Sequence, residues 1–148
     1  MTKNVLVPVD GSTLSWNALR YALEEFPDAS ITALHVVDLF EPGYGAYPDF
    51  ETTYEPLMGS EEWYERAEEV SERLLSEADA TAADYDRALT TVSEIGDPKR
   101  VVVDYADEED VDQIVLGAHG REESGRSVFG SVAEIVARRA TVTVTLVR

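Results

Sequence analysis

Gly117 and Gly120 follow the apolar run Ile114-Val115-Leu116, and nine residues later Gly130 and Ser131 open an amphipathic stretch that runs to Arg139. In chemical terms this is a strand, a tight turn, a loop and the N-terminus of a helix. Such an N-terminus carries N–H groups with no partner in the helix and a partial positive charge, so it can hold phosphate. Glycine permits φ > 0 at the turn and lets the backbone approach a ligand without a Cβ in the way. The pattern predicts a nucleotide or phosphate site. The plain alternative is a set of glycines that only turn the chain from strand to helix.

Two better-known phosphate loops do not fit. The segment 125–132 reads G-x-x-x-x-G-S-V, close to a P-loop, but lacks the lysine that reaches the β- and γ-phosphates. A dinucleotide G-x-G-x-x-G is also missing, because Gly43 and Gly45 sit in a tyrosine- and proline-rich stretch.

The spacing G-x2-G-x9-G-S, met by Gly117, Gly120, Gly130 and Ser131, resembles the nucleotide-binding branch of the universal stress protein family. Val5-Leu6-Val7-Pro8-Val9-Asp10-Gly11-Ser12 is similar to that family's first strand and turn, and Leu34-His35-Val36-Val37 to its second strand. Gly96-Asp97-Pro98 and the segment 111–117 resemble those that flank its third helix. Only residues 38–60 lack a counterpart. The resemblance implies a sandwich of the adenine-nucleotide alpha-hydrolase-like type, one domain over 1–148, that binds ATP. It places Asp10 near ribose and adenine and Val36 at the adenine pocket, which Pro8, Val9 and Leu116 help to shape. Ser131 would offer a hydroxyl and Val132 only its backbone. At Ala133 the chain departs from the family pattern, where serine or threonine is common; one hydrogen bond to phosphate fewer costs about 1.5–3 kcal/mol. Arg121 and Arg126, in the loop, are candidates to neutralise phosphate.

The elements that must position these residues are legible from periodicity. Apolar, β-branched runs predict strands over 4–9, 30–37, 88–94, 111–116 and 142–147. Ser12 is placed to cap a helix whose Leu14, Ala18, Leu19, Ala22, Leu23 and Phe26 recur at helical spacing. Ser60 is placed to cap a long acidic helix over 60–83, with an apolar stripe through Trp63, Ala67, Val70, Leu74, Ala78 and Ala82. Pro98 suits the first turn of a short helix ending near Ala106. Strands alternating with helices predict an α/β fold, a single doubly wound sandwich around a five-stranded parallel sheet. Ligands of such sheets lie beyond the strand C-termini at the switch point, where Asp10 and Gly117 both fall.

Composition narrows the function. The 148 residues hold no cysteine and only two histidines, His35 and His119, which excludes thiolate chemistry, Cys-based metal sites and a three-histidine zinc site. His35, in an apolar strand, reads as a satisfied core histidine, and His119 as a loop donor with no partner that would make it a general base. No apolar run is long enough to span a bilayer and no basic-then-apolar leader precedes the first strand, so a cytoplasmic location is expected. Thirty acidic residues against twelve basic ones give a formal net charge of −18, the wrong sign for nucleic-acid binding. Clusters such as Glu61-Glu62 and Glu68-Glu69 read as solvated faces. A lysine-poor acidic surface suits molar salt, where charges are screened.

Three functions remain open: an ATP-binding regulatory protein, a slow ATP hydrolase, and a nucleotide-free dimeric interaction module. Magnesium bridging the phosphates would offset charge without a dedicated protein ligand set. A homodimer is expected through the last strand, bounded by Val142 and Val147, which in the resembling family pairs antiparallel across a two-fold axis.

Overall fold

The computed structural model describes residues 2–38, 59–119 and 130–148. Strands and helices alternate: β1 (Asn4–Pro8), α1 (Thr13–Glu25), β2 (Ser30–Asp38), α2 (Glu61–Ala83), β3 (Thr90–Gly96), α3 (Pro98–Glu108), β4 (Gln113–Gly117), α4 (Ser131–Arg139) and β5 (Thr143–Val147). The strands form one sheet in the order β3-β2-β1-β4-β5, parallel throughout. Parallel neighbours need crossover connections, and the helices that supply them cover both faces.

Side-chain alternation divides the core in two. Val5, Val7, Ala33 and Val115 meet α1 and the later turns of α2 on one face. Leu6, Leu34, Ile114 and Leu116 meet α3 and α4 on the other. The expected stripe of α2, from Trp63 to Ala82, is buried at every position. Helix starts follow the expected chemistry. Ser12 Oγ accepts from the Ser15 N–H and Ser60 Oγ from the Trp63 N–H, both at 3.2 Å. Asp97 caps α3, with Pro98 in its first turn.

His35 is a satisfied core histidine, as its apolar surroundings predict. Its Nδ1 lies 2.6 Å from Ser71 Oγ, which also accepts from Ser93 Oγ at 3.1 Å. The trio ties α2 to β2 and to edge strand β3.

Two strands sit later in the chain than their apolar runs predict. β3 covers Thr90–Gly96, not 88–94, because the residues before it are committed to another contact. Arg87 donates to Leu23 O at 3.0 Å and to Ala29 O at 2.7 Å, and Leu89 packs on the α1 side of the core. The last turn of α1 has no basic residue of its own, so Arg87 supplies the cation its carbonyls lack. Arg87→Met keeps the stem and removes both charged hydrogen bonds; chemical denaturation is expected to report a loss of about 1.5–3 kcal/mol. β4 starts at Gln113, not 111, because Asp110 turns the chain at φ 52° and the Val111 N–H still bonds Ala106 O at 3.1 Å.

Candidate functional site at the sheet switch point

β1 and β4 are neighbours, yet the chain leaves β1 for β2 on one side and β4 for β5 on the other. A crevice opens at such a reversal, beyond the carboxyl ends of the two strands. Asp10 lies just past β1, and Gly117 ends β4.

Asp10 builds the turn into α1. Its Oδ1 accepts from the Ser12 N–H at 2.9 Å, and Gly11 stands at φ 85°, a conformation that favours glycine. The Asp10 N–H reaches Ser15 Oγ at 3.4 Å, while that hydroxyl donates to Ser12 O at 2.9 Å. The turn is thus an Asx turn. A carboxylate has about four acceptor positions, so this role is compatible with bonds from ribose hydroxyls or base N–H groups.

Gly117 has a reason the sequence did not reveal. It belongs to β4 itself, opposite Val147 of β5, and does not sit at positive φ. A Cβ added there would lie 2.9 Å from both the carbonyl carbon and the Cβ of Leu14. The missing side chain is therefore the space into which the start of α1 packs. Ala118, fully buried, follows: its N–H donates to Val147 O at 2.8 Å, and its carbonyl accepts from the Gly130 N–H. One small residue thus joins the end of β5 to the start of α4, an arrangement invisible in a linear pattern.

Gly130, not Ser131, is the N-cap of α4. Its φ of −69° and ψ of 165° are ordinary extended backbone, and no side chain caps the helix. The expectation that glycine supplies positive φ is corrected at both Gly117 and Gly130; what glycine supplies at Gly117 is room. Ser131 is the first helical residue and is exposed, whereas Val132 packs against the α3–α4 core. Ala133 is buried at 3% exposure in that core. A serine there would place its hydroxyl among apolar side chains.

The remaining candidates divide by face. Val9 is buried on the α1 side and Leu116 on the α4 side, so both side chains are core; the Val9 N–H extends the ladder to Leu34 O at 2.9 Å. Val36 is half-buried against the α3–α4 core, and Pro8 is half-buried at the end of β1. Gly120, Arg121 and Arg126 lie outside the described residues, as does 39–58. His119 Nδ1 is buried with no hydrogen-bond partner, the single such side-chain atom among the described residues. No group of three metal-ligating side chains occurs among the described residues. No helix among them is long and apolar enough to cross a membrane.

An all-parallel sheet with helices on both faces and a reversal of strand order between β1 and β4 defines a doubly wound α/β protein. A sequence model of the Universal stress protein family matches residues 1–148, and the chain belongs to that family. It is 31% identical to a universal stress protein of Methanocaldococcus jannaschii, over 99% of this chain and 82% of that one. The structure of the universal stress protein UspA from Lactobacillus plantarum superposes with a TM-score of 0.78 at 26% identity, covering 99% of this chain and 97% of the other. A family protein of Arabidopsis thaliana, solved with AMP bound, shares the fold at a TM-score of 0.68 and 18% identity, over 97% and 90% of the two chains.

Proposed function

We propose that this chain is an ATP-binding regulatory member of the nucleotide-binding branch of its family, working as a cytoplasmic homodimer. The observation that carries the reading is the junction of Ala118 with Gly130. It brings a helix start without a side-chain cap to the C-terminal end of β4, beside a buried His119 nitrogen that has no partner. Helix-terminal N–H groups favour an anion, and an unpaired buried polar atom favours a ligand or water that would bond it. AMP in one relative and cAMP in another support an adenine nucleotide as the class of ligand. The phosphates would lie over Gly130, Ser131 and the Val132 N–H, with Gly120 giving them space, and magnesium bridging them. The ribose and adenine would lie toward Asp10, Pro8, Val9, Val36, Leu116 and Gly117.

The dimer would form through β5, an edge strand whose outer backbone has no neighbour in the sheet. The net charge of −18 supports an origin in molar salt.

Melting a nucleotide-stripped sample with ATP, AMP, cAMP and GTP, then calorimetry with magnesium in molar KCl, tests the reading. ATP at a hundredfold over its Kd stabilises the folded state by about 2.7 kcal/mol. Gly130→Val, which fills the phosphate space, is expected to abolish the heat of binding. No binding at millimolar ATP would leave the interaction-module reading. Light scattering reports the dimer, and a monomer at micromolar concentration in high salt refutes it.

A further inference from the structure

His119 stands apart from the other polar residues of the proposed site. Asp10 and Ser131 have interactions of their own, and the Asp10 carboxylate accepts from the Ser12 N–H at 2.9 Å. The His119 ring makes no hydrogen bond among the described residues, although its Nδ1 is buried. An unpaired buried polar atom destabilises the chain that carries it, and folded proteins rarely keep one without a reason.

The residue before it fixes its place. Ala118 is tied on both sides, its N–H donating to Val147 O at 2.8 Å and its carbonyl accepting from the N–H of Gly130, the N-cap of α4. His119 therefore stands one residue from the contact that holds the start of α4, the end of the site proposed for phosphate. The residue as a whole is only half-buried. With no hydrogen bond to break, its ring can turn about χ2, a broad two-fold torsion, and bring Nδ1 to a ligand. Phosphate oxygens accept hydrogen bonds, so they select the Nδ1–H tautomer of the ring.

We infer that His119 is a phosphate-binding residue of the nucleotide site, unpaired in the free protein and bonded through Nδ1 when the nucleotide binds. This inference rests on the adenine-nucleotide reading above.

Calorimetry of the wild type, His119→Leu and His119→Asn with magnesium-ATP and with adenosine in one fixed salt tests it, together with a thermal melt of each protein without ligand. Leucine keeps much of the bulk of the ring and no polar atom. His119→Leu is expected to weaken ATP by about tenfold or more and to leave adenosine within about twofold. Its ligand-free Tm is expected at or above that of the wild type, because the substitution removes an unpaired buried atom. A residue with a merely structural role would not show weaker binding on an equally firm fold. His119→Asn sets its amide near the position of Nδ1 and is expected to bind ATP more tightly than His119→Leu. Unchanged ATP affinity in His119→Leu overturns the inference while leaving the nucleotide site standing. Equal losses for ATP and adenosine, or a ligand-free Tm below that of the wild type, overturn it too, because the ring then supports the fold. A wild type that binds no adenine nucleotide removes the underlying reading and the inference with it.

Discussion

Gly117→Ala is expected to destabilise the folded protein, with or without nucleotide. The new methyl would meet the backbone and Cβ of Leu14 at 2.9 Å, a distance that demands movement of the start of α1. Backbone cannot rotate out of the way as a flexible side chain can, so the strain spreads to the helix and its packing on β4. Overpacking of this kind costs about 1–3 kcal/mol, or a Tm lower by roughly 2–12 °C for a domain of this size. Gly130→Ala is the matched control. Its backbone is in a region any residue adopts, so no backbone strain adds to the difference between glycine and alanine as caps, on the order of 1 kcal/mol or less. Thermal melts of the two variants without ligand decide between the roles. If Gly117→Ala melts with the wild type, glycine is there for the ligand alone and the packing account fails.

A second large effect is expected from salt. The outward face of α2 carries Glu61, Glu65, Glu68, Glu69, Glu72, Glu77 and Asp79, all exposed. Glu61–Glu65, Glu65–Glu68, Glu65–Glu69, Glu68–Glu72 and Glu69–Glu72 are neighbours one turn apart. Arg66 answers with a bond to Glu62 at 3.4 Å. Like-charge pairs at this spacing destabilise a helix by about 0.2–0.5 kcal/mol each, so these five oppose α2 by about 1–2.5 kcal/mol. Raising the salt from 0.1 M to 1 M shortens the screening length from about 10 Å to about 3 Å and removes most of that term. The Tm should therefore rise by roughly 2–10 °C on account of α2 alone. Glu65→Gln with Glu69→Gln should raise the Tm in dilute buffer and flatten its salt dependence. A wild-type melt that does not move between dilute and molar KCl sinks the adaptation to high salt and leaves the fold untouched.

Periodicity revealed the order of elements because each buried face is written in its own spacing. The stripe from Trp63 to Ala82 has only one helical reading, and Ser12, Ser60 and Pro98 mark helix starts by chemistry that acts within three residues. Boundaries were less legible where a distant partner decides them. Arg87 holds the chain back from β3 through carbonyls some sixty residues earlier, which no local window contains. The site shows the same division. Asp10 and Gly11 announce their turn locally, but the purpose of Gly117 depends on Leu14, a hundred residues away in sequence. Ser131 has the side chain that favours a cap, yet Gly130 holds that position, its N–H bonded to Ala118 O, more than ten residues back.

The strand order also divides the molecule in sequence. Strands β1, β2 and β3 lie on one side of the β1–β4 pairing and strands β4 and β5 on the other, while α1 packs across it on Val115 and Val147. β2 follows β3 in register from Thr32↔Thr90 to Asp38↔Gly96, yet β1 and β4 share only Val5↔Gln113 and Leu6↔Ile114. The seam between the two halves is thus the shortest join in the sheet, clasped at one end by Leu14 against Gly117 and at the other by Asn4 with Asp112. The short ladder is backed by α1, which lies over Val115 of β4 and meets Val147 of β5, so the join depends on packing more than on strand pairing. A nucleotide lodged at the C-terminal end of β1 and β4 would span that seam like a rivet. Its occupancy would then be expressed in how firmly the two halves hold together, a property a partner protein can sense without touching the nucleotide.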